Sequence, residues 1–162
     1  MVRSSSVTRL YVNGVANATT YSDTNNYGAS SQLTVGSTGD SHGSATTFLN
    51  GYITDLRVTK SAVYTATFTP PTSPLSAISN TSLLLSCTNA KIIDQTSKIN
   101  YITFSGAKLS TAQKKFGDSS LLLNGTSDYI SAFGTTPGFG KSDFTIECWI
   151  YLNTASGTLV IS

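Results

Sequence analysis

The sequence predicts an all-β domain, an antiparallel β-sandwich, and three observations carry that expectation. Helical 3.6-residue faces are almost absent, β-branched residues are frequent, and turn residues interrupt the chain every ten or so positions. Short strands at that cadence bury their apolar faces against a second sheet. With 162 residues the chain has the size of one domain and can bury a core without a disulfide or metal to staple it.

The elements follow in order. Thr8–Val12 and Val15–Ala16 flank Asn13-Gly14, and Asn-Gly supplies the two positive φ angles of a tight type I′ hairpin turn. Ser31–Val35, Gly51–Val58, Thr81–Cys87, Tyr101–Phe104 and Phe144–Leu152 read as strands, and Thr158 to Ile161 begins another. Leu121–Asn124, Gly125 and Tyr129–Ile130 repeat the hairpin logic with a longer turn. Thr69–Pro74 holds three prolines, which removes three ladder donors and makes the segment a connector. The only helical turn expected is Ser110–Lys115. Residues 20–30 and 36–47, rich in Gly, Ser, Thr and Asn, read as loops at the ends of the sandwich, where binding surfaces usually lie.

Composition narrows the function classes. Only 11% of residues are charged, while Ser and Thr supply about three in ten, so the surface is hydroxyl-rich and weakly charged. The net charge of +2 is spread out, with no basic run longer than Lys114-Lys115, which argues against nucleic acid as a partner. No apolar stretch nears the roughly 18 residues of a membrane span, and Met1-Val2-Arg3-Ser4 lacks the apolar middle of a signal peptide. In Phe144–Leu152 the alternation puts Phe144, Ile146, Cys148, Ile150 and Leu152 on one face. Cys148 therefore reads as a small buried hydrophobe, and a disulfide to Cys87 is not favoured.

Two stretches carry a family resemblance. Lys141-Ser-Asp-Phe-Thr-Ile-Glu-Cys-Trp-Ile-Tyr151 and Phe116-Gly-Asp-Ser-Ser-Leu-Leu-Leu-Asn-Gly-Thr-Ser-Asp-Tyr-Ile130 resemble the N-terminal half of laminin G-like, concanavalin A-like jelly rolls. Val7–Val15 and Leu49–Val58 resemble the C-terminal half of the same family, so the halves stand in permuted order. Tyr64–Pro71 looks like the connector between tandem copies in phage tail and other virion proteins. The resemblance implies a single jelly-roll-like domain over residues 1–162. In it residues 5–75 match the end of one copy, 69–79 a Pro-rich link and 80–162 the start of the next. It also implies a place on a virion or an extracellular surface. Each half alone would expose unpaired strand edges, so the halves close on each other or exchange between chains, and a homo-oligomer through strand exchange or edge pairing is one expectation.

The chemistry-bearing residues point away from catalysis. Glycoside hydrolysis needs two carboxylates across the scissile bond, yet Glu147 is the only glutamate and reads as an outer-face or sheet-pairing residue. His42, the sole histidine, sits in Gly39-Asp-Ser-His-Gly43, and neighbours on one loop do not hold a base and nucleophile in register. Thr34–Asp40 resembles the strand and acidic loop through which pentraxin-like jelly rolls hold calcium, which marks Asp40 as a candidate ligand, with Asp128 of the Gly125–Asp128 turn as a second. Turn formation is the plainer role for Asp128. Saccharides need an aromatic ring for their apolar face and amides or hydroxyls for their edges. Tyr21, Asn25, Asn26 and Tyr27 supply that mixture in one loop, and Phe133 and Phe139 bracket another, while Trp149 reads as core or inter-sheet packing. The sequons at Asn17, Asn80 and Asn124 arise readily in so Ser/Thr-rich a chain and discriminate nothing. The expected function is a non-catalytic carbohydrate-binding or adhesion module of a phage or microbial surface protein. A structural spacer without a glycan ligand and a degenerate hydrolase are the alternatives.

Overall fold

Every regular element is a strand, some with period-2 alternation and others, such as Leu83–Leu85 and Leu121–Leu123, with short continuous apolar runs, and no helix occurs among the described residues. The computed structural model describes residues 1–28, 33–38, 47–96, 100–134 and 138–154; Ser31, Gln32, Asp40, His42 and Thr158–Ile161 lie outside the described residues. The larger sheet has the order β3 (Val15–Ser22), β2 (Val7–Val12), β1 (Val2–Ser4), β12 (Phe144–Leu152), β5 (Asn50–Thr59), β10 (Ser120–Asn124) and β9 (Lys108–Ser110). On it, β6 (Thr81–Cys87) pairs with β5, and β7 (Ile92–Asp94) with β6. The smaller sheet orders β4 (Leu33–Val35), β11 (Tyr129–Gly134) and β8 (Asn100–Ser105). All strand pairs are antiparallel.

The two sheets form a β-sandwich around one apolar cluster. Leu33, Val35, Ile130 and Ala132 of the smaller sheet pack with Ile53, Leu83, Leu121, Leu123, Phe144 and Ile146 of the larger. Strands from either side of the Pro-rich connector pair with one another in both sheets: β1 and β5 pair with β12, and β4 pairs with β11. The connector forms no strand and crosses the outer face, where the Phe68 amide donates to Gly14 O at 2.9 Å. Asn13 (φ 51) and Gly14 (φ 79) form the expected turn between β2 and β3. A Cβ on Gly14 would lie 1.9 Å from Phe68 O, so the connector passes closely only over glycine.

Three expectations change. The turn after β10 does not make a hairpin: β10 pairs with β5 and β9 while β11 pairs with β4 and β8, so Asn124–Asp128 carries the chain from one sheet to the other. Turn chemistry was legible there, but strand partners depend on which face each side must bury. Ser110 ends β9, and bends, not a helical turn, follow it. In β12, Phe144 and Ile146 are buried but Ile150 and Leu152 are 37% and 38% exposed, so among the described residues the core covers only the first part of the strand.

The ladder between β5 and β12 contains an irregularity with large consequences. Glu147 pairs with Arg57 but Trp149 pairs with Thr54, so Asp55 and Leu56 together oppose Cys148. Asp55 takes φ 52, a left-handed angle that Asp tolerates better than most residues. Its side chain is buried among apolar residues, its Oδ2 has no hydrogen-bond partner, and burial pushes its carboxyl above the ordinary value. A folded-state value above the unfolded one means that this residue's contribution is fully present below the ordinary carboxylate range. It is lost as pH rises through the folded value. Asn tolerates the same backbone angle without the buried charge. Asp55→Asn is expected to raise the melting temperature at pH 7 by about 2–4 °C, the equivalent of about 1 kcal/mol in a domain this large. Thermal denaturation should show that advantage shrinking as pH falls toward 4; a variant less stable than the native chain at pH 7 contradicts the account.

Candidate functional site

The bulge at Asp55 reverses which side chains of β5 face outward. Strict alternation from Arg57 would turn Tyr52 and Thr54 into the core. With one residue added, Ile53 joins Leu56 and Val58 in the core and Tyr52 and Thr54 face out. There they register with Tyr151 and Trp149 of β12. The Tyr52 and Tyr151 rings meet edge to face with centroids 5.9 Å apart, and Tyr151 is 51% exposed.

The segment after β9 folds beside this face and walls it. Phe116 packs on Trp149, centroids 5.8 Å apart at 82°, and the Lys115 ammonium sits 4.8 Å from the Trp149 centroid. Ser120 Oγ donates to Gln113 O and Lys114 Nζ donates to Asp118 O at 3.2 Å, which tie the segment's two ends to the sheet and to each other. The result is an open cleft of about 130 Å³ with Tyr52, Thr54, Trp149 and Tyr151 among its lining and Gln113 and Lys115 on its wall. Rings for an apolar face stand beside amide and ammonium donors, the combination a saccharide requires.

Further along the same face, Glu147 is fully engaged. Arg57 Nε donates to Glu147 Oε1 at 2.8 Å, Tyr64 Oη donates to Oε2 at 2.9 Å, and Arg57 Nη1 donates to Ser76 O at 2.7 Å. Burial, reinforced by Glu147, pushes the Tyr64 phenol up to about 12. The cluster fastens the connector onto the sheet, and Glu147 is a sheet-pairing residue opposite Arg57, in line with the sequence reading.

A second concave region lies at the edge of β12. β1 covers only the start of that strand, with Met1 exchanging backbone hydrogen bonds with Ile146 at 2.8 and 2.9 Å; beyond that point β12 pairs only with β5 among the described residues. Between this free edge and Leu10–Val12 of β2 lies a groove of about 480 Å³, lined by Leu10, Val12, Phe68, Pro70, Cys148 and Leu152.

The loop residues expected to bind sugar have other surroundings. Tyr27 is half-buried and Phe139 buried; their rings pack edge to face at 6.4 Å, and both pack on Phe144. The buried Arg3 guanidinium lies 5.1 Å from the Tyr27 centroid and 5.0 Å from that of Phe144, and donates to the carbonyls of Asn25, Gly140 and Ser142. Tyr27 Oη donates to Asp23. Burial pushes Asp23 up, but hydrogen bonds from Thr8, Asn25 N and Tyr27 and the Arg3 charge outweigh it and hold the carboxyl below its ordinary value. Tyr27 and Phe139, placed in separate loops by the sequence, thus meet in one packed assembly. Tyr21 stands apart, 61% exposed, and Asn25 and Asn26 are exposed. For Phe133 the structure describes only the backbone, paired with Tyr101.

Asp128 is buried and serves its turn: its carboxylate accepts from Asn124 N at 3.2 Å and from Ser127 Oγ at 3.2 Å. Asn124 Oδ1 accepts from the amides of Thr126, Ser127 and Asp128. No group of three or more His, Cys, Asp and Glu side chains that could hold a metal ion occurs among the described residues. Cys87 and Cys148 are free thiols, pushed by burial to about 11 and about 12. No described helix is long and apolar enough to cross a membrane. No protein-family model, curated protein or solved structure matches this chain.

The residues of the cleft were missed for separable reasons. Trp149 and Tyr151 share the face opposite Phe144 and Ile146 by simple alternation, a signal present in the sequence. Tyr52 joins them only through the bulge. If Tyr27 is a packing residue, Tyr27→Ala should cost about 3–5 kcal/mol of folding stability and Tyr27→Phe about 1 kcal/mol for the lost hydroxyl. Denaturant titration would check both; an alanine variant of native stability contradicts the packing role.

Proposed function

We propose that this chain is a non-catalytic carbohydrate-binding module that holds a saccharide on the outer face of its larger sheet, in the cleft floored by Tyr52, Trp149 and Tyr151. The observation that carries this reading is the exposed Tyr151 ring beside Trp149, Lys115 and Gln113. A pyranose ring stacks its C–H face on an aromatic and spends its hydroxyls on nearby donors and acceptors. The engagement of the only glutamate by Arg57 and Tyr64 supports binding over hydrolysis. The motif resemblance supports a concanavalin A-like jelly roll and a place on a virion or extracellular surface, as parts of the same proposal.

A glycan-array screen of the purified chain tests it. Tyr151→Ala is expected to abolish saturable binding while lowering the melting temperature little, since the ring is half in solvent, and Tyr21→Ala is expected to leave binding unchanged. Binding that survives Tyr151→Ala and disappears with Tyr21→Ala moves the site to the loop end of the sandwich.

The free edge of β12 favours a second reading, a structural module that assembles with further copies through strand pairing. An uncovered strand edge bordered by Leu10, Val12 and Leu152, all at least 38% exposed, invites another strand. That reading predicts dimers or larger species by light scattering, returned to monomers by Ile150→Lys. A monodisperse monomer at high concentration argues against it.

A further inference from the structure

We propose that the saccharide held by this cleft is acidic, with a carboxylate or sulfate group that the Lys115 ammonium takes beside the Tyr151 ring; the inference rests on the carbohydrate-binding reading. Charge is the first observation. Two of the chain's ten basic residues, Lys114 and Lys115, line the cleft. No carboxylate lines the cleft. The ion pairs among the described residues are Arg3 with Asp23 and Arg57 with Glu147, which leave these lysines out. Glu147, on the same outer face, is paired with Arg57.

Geometry is the second observation. Lys115 is exposed, yet its ammonium lies over the ring floor, its Nζ 4.8 Å from the Trp149 centroid and 5.9 Å from that of Phe116. The ring contact places the ammonium above the floor of the cleft, where it meets an anionic substituent of a sugar bound there. A sugar stacked on Tyr151 brings a ring substituent toward that position. A neutral sugar offers Lys115 only a hydroxyl, whereas a uronate or sulfate offers a charge-assisted hydrogen bond.

Isothermal titration with an oligogalacturonate and a sulfated oligosaccharide, against a neutral gluco-oligosaccharide of equal length, tests this. The acidic ligands are expected to bind at least tenfold more tightly at low salt, with the preference falling as added salt shortens the screening length. Lys115→Gln should lose roughly tenfold for the acidic ligands, the scale of one charge-assisted hydrogen bond, and leave neutral binding alone. Lys115→Arg should keep most of the affinity, and Lys141→Gln, remote in sequence and exposed, should change nothing. Equal binding of neutral and acidic ligands overturns the acidic preference and leaves the carbohydrate reading standing; no binding of any saccharide overturns both. Equal binding of polyglutamate, untouched by Tyr151→Ala, overturns the proposal in favour of general attraction for polyanions.

Discussion

Seven registered residue pairs hold β12 against β5, from Thr145 and Thr59 to Leu152 and Gly51, and the larger sheet is organised around that ladder. It joins the part of the chain before the Pro-rich connector to the part after it. It also supports β1 and β2 on one flank and β6 and β10 on the other. The bulge at Asp55 divides the ladder into two segments of opposite parity. On one side of it the outward pairs are polar, Glu147 with Arg57 and Thr145 with Thr59; on the other each pair carries at least one ring, Trp149 with Thr54 and Tyr151 with Tyr52. One extra residue thus separates a polar half of the outer face from a half that carries aromatic rings.

The two halves treat polar groups differently. Arg57 and Glu147 are fastened by each other, by Tyr64 and by Ser76 O, which spends their charge on seating the connector. Arg3 plays the matching part at the loop end, where its guanidinium satisfies carbonyls of segments far apart in sequence and lies between two rings. A buried guanidinium is tolerable only with such a set of acceptors. Lys115, by contrast, meets aromatic faces, which leaves its charge available to an incoming anion.

Much of the fold was legible. Strand class, the Asn13-Gly14 turn, the limits of β12 and the connector followed from period-2 patterns, positive-φ turn residues and prolines, all local signals. What failed was non-local. The turn at Asn124–Asp128 has hairpin chemistry, yet its flanking strands belong to different sheets because Leu121 and Leu123 must face Ile130 and Ala132 across the core. Tyr27 looked like a loop aromatic because nothing near it in sequence reveals Arg3, Phe139 and Phe144 as its neighbours. Tyr52 was assigned no role because the bulge rests on an aspartate in a left-handed conformation, where glycine would have been the recognisable signal.

The central claim is that a saccharide docks on the ring floor the Asp55 bulge creates, and the chain carries its own reporter for it: Trp149 is the only tryptophan and lines the cleft. Titrating the native protein with an acidic oligosaccharide while following tryptophan emission tests the claim directly. The account predicts a saturable change in emission that is absent in Tyr151→Ala. Unchanged emission at saturating ligand, or a change that persists undiminished in that variant, would contradict it.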